Sequence, residues 1–182
     1  MSGTVLFSSR GDYPGDDALI LQTLGRLDAI GLPYTGTVHD PAATIEACRS
    51  VEAALSCPIP KNLFLTNSQH TAFYLLVMPG DKPFKTKYLS KQIGSARLSF
   101  GNGDEMEALL GCAPGSASVF GVMNDPAGRV RLLLDRDLTD SPVLGFHPCR
   151  NTATLKIELR DLTERLLPAL GVTPTWVDLP TE

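Results

Sequence analysis

The chain has 182 residues, of which 43% are hydrophobic and 20% charged, with a net charge of −4 and a pI near 5.4. That length suits one domain built on one sizeable core, and the composition excludes an intrinsically disordered chain. The acidic balance argues against a protein that coats nucleic acid along its length, because that mode of binding is driven by Lys and Arg releasing counterions from phosphates; a local basic patch remains compatible with it.

Residues 1–15, with Ser8, Ser9, Gly11, Pro14 and Gly15, read as a loose leader ahead of a domain spanning 16–178. From Asp16 the apolar positions Ile20, Leu24, Leu27 and Ile30 fall on one helical face, with Asp16 or Asp17 suited to the start and Gly31 and Pro33 to the stop. Residues 33–39 read as a short strand, and a second helix is expected from about Thr44 to Leu55, with Ile45, Val51 and Ala54 inward. Residues 62–66 and 71–78 are apolar and β-branched or aromatic, hence strands, the second stopped by Pro79-Gly80. A short helix over 86–93, a short strand over 98–100 and a helix over 104–110 follow, the last capped at Asn102 or Asp104 and closed by Gly111. The turn Asn124-Asp125-Pro126-Ala127-Gly128 predicts a hairpin of 119–123 with 129–134. Two more strands are expected over 143–146 and 152–157. A final helix carries the stripe Leu159, Leu162, Leu166 and Leu170, and Pro168 should distort its last turn. Helices and strands intermixed in this way predict a single α+β domain, a mixed β-sheet flanked by helices.

No apolar run approaches the roughly 20 residues needed to cross a bilayer, and no basic region followed by an apolar stretch opens the chain. A cytoplasmic protein is the expectation. Cys48, Cys57, Cys112 and Cys149 contain no CxxC pair and read as reduced, mostly buried thiols. The three histidines form no zinc motif.

Four segments are richer in special residues than a core requires. Lys61 precedes the apolar strand 62–65, where an ammonium either flanks the strand in solvent or binds phosphate at a cleft mouth. Residues 111–118, with Gly111, Gly115, Ser116, Ala117 and Ser118, form either an ordinary loop or one whose backbone approaches a ligand closely. Gly145-Phe146-His147-Pro148, followed by Asn151 and Thr152, places a histidine at a strand end beside a polar amide. Lys82, Lys85, Lys87 and Lys91 form either a solvated face or a contact for an RNA backbone. The chain has no phosphate-binding GxxxxGK[ST] loop, no GxSxG elbow and no helix-turn-helix pattern, so a serine hydrolase and a DNA-binding protein are both disfavoured.

Taken in order, Lys61-Asn62-Leu63-Phe64-Leu65, Arg97-Leu98-Ser99-Phe100, Pro114-Gly115-Ser116, Asn124-Asp125 and Gly145-Phe146-His147-Pro148 through Asn151-Thr152-Ala153-Thr154 resemble the YbaK-like family, the prolyl-tRNA synthetase-associated editing domains. The likeness runs from about Leu19 to Leu170 and is nearest to the free-standing deacylases that remove alanine from tRNA meant for proline. The resemblance implies ester hydrolysis without metal or cofactor, on the acceptor end of a mischarged tRNA and in the company of prolyl-tRNA synthetase, with no membrane or DNA partner. It assigns Lys61, His147 and Asn151 to catalysis, and Asn62, Gly115, Ser116, Ala117, Ser118, Gly145, Phe146 and Pro148 to substrate binding. Lys61 would hold the phosphate near the terminal adenosine, the loop 115–118 would close on the aminoacyl group, and the terminal ribose hydroxyl would help activate water. Here Val119 stands where the family loop usually has proline, Ile59-Pro60 replaces a small polar pair, and Ala42-Ala43-Thr44 is less aromatic than usual. Two other readings are a deacylase for a different charge, such as cysteinyl-tRNA(Pro), and a non-catalytic tRNA-binding module.

Overall fold

The computed structural model describes residues 5–41 and 45–181. In chain order its main elements are β1 (Leu6–Phe7), α1 (Ala18–Ile30), β2 (Thr35–Val38), α2 (Ile45–Leu55), β3 (Lys61–Asn67), β4 (Phe73–Met78), α3 (Thr86–Ile93), β5 (Leu98–Phe100) and α4 (Gly103–Leu110). A 3-10 helix (Val119–Asn124), β6 (Val130–Asp135), β7 (Val143–Phe146), β8 (Ala153–Glu158), α5 (Leu159–Asp161), a π-helical turn (Leu162–Leu166), α6 (Leu167–Ala169) and β9 (Thr175–Val177) complete it. The fold is α+β, as expected, but the strands divide between two sheets. One is antiparallel, in the order β1-β2-β8-β7; the other is mixed, in the order β5-β3-β4-β6-β9, with β4, β6 and β9 parallel.

The central strand β4 explains the layering. All six of its residues are buried, as a strand covered on both faces must be. Phe73, Leu75 and Val77 face the large core, which also takes Leu24 and Leu27 of α1, Leu155 of β8 and Leu162 and Leu166. Tyr74, Leu76 and Met78 face a smaller cluster capped by Leu89 of α3 and by Leu179. The helix ends follow local chemistry. The Asp17 carboxylate accepts from the amides of Leu19 and Ile20, and Gly31 closes α1 in the left-handed region. Asn102 and Glu105 form a reciprocal capping box on α4.

Several expectations require correction. Residues 119–123 are not a hairpin strand but a 3-10 helix whose first turn is capped by Ser118 Oγ accepting from Phe120 N–H. The turn after it serves β6 instead, because the Asp125 carboxylate accepts from Arg129 and Val130 N–H, and β6 pairs in parallel with β4. Much of the leader is structured: β1 pairs with β2, and Phe7 is only 2% exposed. Gly36 leaves the space that ring fills, since any side chain there would run into Phe7. Strand β9 carries no periodic signal and was not expected. Pro168 does distort the last helix: the turn before it widens to π geometry, with Leu167 N–H donating to Leu162 O. Lys82 does not belong to a solvated lysine face. It is 5% exposed, and its ammonium lies 2.7 Å from Asp135 Oδ2 and 2.9 Å from Asp137 Oδ2. Val51 is buried and Ala54 half-buried as expected, whereas the expected helix start at Thr44, the side chain of Ile45 and the segment 42–44 lie outside the described residues.

Burial of Phe7 against Tyr13, with ring centroids 5.3 Å apart, makes the N-terminal strand part of the folded unit. Phe7→Ala should lower the free energy of urea unfolding by about 3–5 kcal/mol. A change below about 1 kcal/mol would show that the segment adds nothing to the core.

Candidate functional site

A cleft of about 870 Å3 opens between α2, the start of β3, the turn after β4, the end of β5 and the loop before the 3-10 helix. Lys61, Asn62, Gly115, Ala117 and His147 all line it, so residues from three distant stretches of sequence meet on one hollow. Its volume is that of a site for a whole small ligand rather than for one amino acid side chain. Selection between a methyl group and a pyrrolidine ring cannot lie in the cleft as a whole.

Lys61 begins β3, opposite Met78, the last residue of β4. Its ammonium donates to the carbonyl of Lys82, whose own ammonium is fixed by Asp135 and Asp137 at the end of β6. The turn between them presses close to the cleft floor. A Cβ on Gly80 would come within 2.6 Å of the Ile59 carbonyl oxygen, so glycine is required for that approach. Asn62 holds the other wall: its Oδ1 accepts from Val119 N–H at 3.1 Å, tying β3 to the loop 115–118. In that loop Gly115 adopts φ +80°, a conformation that disfavours any other residue, with Asn151 Nδ2 alongside. Ser116 and Ser118 are buried, the latter as the cap already described.

His147 follows β7 and reaches the cleft with its ring held from behind. Its Nδ1 lies 2.9 Å from the Ala153 carbonyl and 3.3 Å from Thr154 Oγ1. A carbonyl only accepts, so Nδ1 carries a proton, and in the neutral ring Nε2 is the acceptor. Thr154 Oγ1 is also 2.8 Å from His39 Nε2, and His39 Nδ1 is 2.7 Å from the Asp40 carbonyl. With His39 neutral the donors run in one direction: His39 Nδ1–H to Asp40 O, Thr154 Oγ–H to His39 Nε2, His147 Nδ1–H to Ala153 O and Thr154 Oγ1. His39 and Thr154 were not singled out from sequence as polar partners, because they are 115 residues apart and no spacing rule connects them. Phe146 and Pro148 do not line the cleft. They are buried behind it, Phe146 edge-on to Phe120 at 5.9 Å. Gly145 lies within β7, its N–H donating to Pro58 O. Sequence reasoning also passed over Arg49 and Glu52 of α2 and Met106 of α4, which line the cleft. Among the described residues no three His, Cys, Asp or Glu side chains gather as a metal-binding group.

Burial pulls the imidazole of His147 below its ordinary value near 6.5; the Ala153 hydrogen bond opposes this and His39 adds to it. The unfolded chain therefore takes up this proton more readily than the fold does, and the stability contributed by His147 falls as pH drops through about 6.5. Nitrogen NMR of the imidazole should show the Nδ1–H tautomer at pH 7 and a titration midpoint below that of a free histidine. A midpoint at or above 6.5 would contradict the buried, neutral ring.

The model of the aminoacyl-tRNA editing domain matches residues 39–164. The prolyl-tRNA editing protein ProX of Acetoanaerobium sticklandii is 33% identical over 156 residues, covering 86% of this chain and 94% of its own. The prolyl-tRNA synthetase associated domain-containing protein 1 of Danio rerio is 27% identical over 150 residues, covering 81% and 80% respectively. A solved structure described as a candidate trans-editing enzyme for prolyl tRNA synthetase superposes with a TM-score of 0.67 at 18% identity, over 92% of this chain and all of the other, a likeness of fold. On the extent of the family match and the identity to ProX, the chain belongs to the aminoacyl-tRNA editing domain family and is an aminoacyl-tRNA deacylase.

Proposed function

We propose that the protein is a cytoplasmic editing enzyme that hydrolyses the ester between a wrongly attached amino acid and tRNA, with alanine on the proline acceptor as its substrate. The observation that carries the reading is the convergence of Lys61, the Gly115 loop and His147 on one cleft. ProX, an editing protein for prolyl-tRNA by name, supports the choice of acceptor.

In this reading the Lys61 ammonium, already positioned by the Lys82 carbonyl, binds the phosphate next to the terminal adenosine. The loop 115–118 closes on the aminoacyl group, its backbone orienting the ester carbonyl, while Asn151, which does not line the cleft, stands beside Gly115 and supports that loop. Water attacks that carbonyl, the bond from carbonyl carbon to ribose oxygen breaks, and the proton released by water ends on the ribose oxygen. The neighbouring ribose hydroxyl and His147 Nε2, a lone pair at the cleft wall, align the water. No serine or cysteine nucleophile is needed. Ser116, Ser118, Gly145, Phe146 and Pro148 act through the shape of the wall rather than by touching the ester.

The physical need for such an enzyme is clear. A synthetase pocket built for proline rejects the smaller alanine weakly, because one or two methylenes are worth only about 1–3 kcal/mol. A second site that accepts a methyl group and excludes a pyrrolidine ring supplies the missing discrimination. Since the open cleft is too large for that, the exclusion falls to whatever part of it the aminoacyl group occupies once the loop 115–118 has closed on the ester.

A panel of alanyl-, cysteinyl- and prolyl-tRNA(Pro) tests the reading, with release of alanine and retention of proline expected. Saturable tRNA binding with no release from any charge would reduce the protein to a binding module. Lys61→Ala should lower kcat/KM on alanyl-tRNA(Pro) by about ten- to a hundredfold, the value of one charge-assisted hydrogen bond of about 1.5–3 kcal/mol. Unchanged kinetics would remove Lys61 from the site.

A further inference from the structure

From Lys82 through Gly103 the chain contains Lys82, Lys85, Lys87, Lys91 and Arg97 and not one Asp or Glu, in a protein whose net charge is −4. Lys82 is consumed by its buried carboxylates. The other four are exposed, and among the described residues none has a carboxylate within ion-pair distance. Lys87 instead lies over the ring of Tyr88, 4.9 Å from its centroid. This basic stretch carries Phe100, which is 62% exposed and lines the same cleft as Lys61 and His147.

The exposure of Phe100 is built into the strand. Leu98 and Phe100 project from the same face of β5, and Leu98 is buried in the cluster that includes Leu89 of α3. One step along, that cover has ended. The ring is nevertheless held: Phe84 stands edge-on to it at 6.3 Å and 72°, Phe100 pairs with Leu65 of β3, and Gly101 N–H donates to Phe64 O at 2.9 Å. A braced, exposed aromatic ring on a cleft rim, closing a stretch of chain whose only charges are basic, has the two components by which single-stranded RNA is gripped: bases stack on a ring and phosphates meet cations.

We propose that Phe100, braced by Phe84 and preceded in the chain by the exposed Lys85, Lys87, Lys91 and Arg97, is the platform for the single-stranded 3′ end of the tRNA, its ring stacking on one of the terminal bases. The identity of the RNA rests on the deacylase reading of the cleft; the platform itself rests on the aromatic and charge geometry. Stacking on Phe100 would bring the end of the strand to the rim from which Lys61 and His147 are reached. It would tolerate any base, because every base presents a π face.

Two measurements separate the platform from the deacylase reading. In the first, a short RNA ending in CC followed by 2-aminopurine is titrated with wild-type, Phe100→Ala and Phe100→Trp protein while fluorescence is followed. Quenching on binding is expected for wild type and Phe100→Trp, with about tenfold weaker binding and no quenching for Phe100→Ala. The double variant Lys85→Ala/Lys87→Ala should flatten the dependence of log affinity on log salt by about 0.7 for each phosphate that is no longer neutralised. In the second, kinetics on alanyl-tRNA(Pro) should show Phe100→Ala raising KM about tenfold with kcat within about twofold. Phe100 is exposed, so a folding defect is not expected, and Phe100→Trp restores function only if ring stacking is the cause. Wild-type protein that binds and quenches the oligonucleotide through Phe100 but deacylates nothing would sink the deacylase reading and leave the platform standing. Active protein whose Phe100→Ala variant keeps wild-type KM and quenching would overturn the platform.

Discussion

The buried ammonium of Lys82 is the constraint on which the site depends. It lies between Asp135 Oδ2 and Asp137 Oδ2 at the end of β6, and its backbone carbonyl receives the ammonium of Lys61. One side chain thus fastens the turn after β4 to the neighbouring strand and aims the cation at the cleft. A buried ion pair of this kind adds little stability over an apolar replacement, but removal of one partner leaves a charge stranded and costs about 3–5 kcal/mol. Asp135 serves twice, since its Oδ1 also accepts from Asp137 N–H. The role of Lys82 is therefore to hold geometry, and the lysines that follow it remain free for solvent or ligand.

The opposite wall is held by a different device. His147 is kept in one tautomer by backbone and hydroxyl partners from β8, and Thr154 passes the same hydrogen-bond polarity to His39 beyond the end of β2. Because β2 and β8 pair with Thr37 opposite Thr154 and Val38 opposite Ala153, the sheet register itself delivers these groups to one another. Asn62 ties β3 to the loop 115–118 by accepting from Val119 N–H. The cleft is a junction between the two sheets, with the antiparallel sheet supplying the acceptor nitrogen and the mixed sheet supplying the cation.

Where the sequence misled, a local signal was outranked by a distant partner. The turn residues 124–128 looked like a hairpin loop because Pro and Gly mark a reversal without saying what lies on each side of it. Asp125 directs its carboxylate to the amides that open β6, and β6 then finds β4 rather than the preceding segment. Residues 1–15 looked loose from their Ser, Gly and Pro content, yet Phe7 finds a slot over Gly36. Lys82 was grouped with its neighbours by spacing, and only the fold reveals that its side chain turns inward.

Periodicity and end chemistry in the sequence alone sufficed for α1 and α4 with their stops at Gly31 and Gly111, and composition for the span of α3 and the all-apolar run of β4. The α+β class and the segments bearing Lys61, Gly115 and His147 were legible there too, since a helix cap or an apolar stripe is a matter of residues within one or two turns of each other. The division into two sheets, the parallel pairing of β6 and β9, and the meeting of His39 with Thr154 were decided by tertiary structure. Each of these joins groups tens of residues apart, and such contacts form only when burial of the shared core brings both partners out of water together.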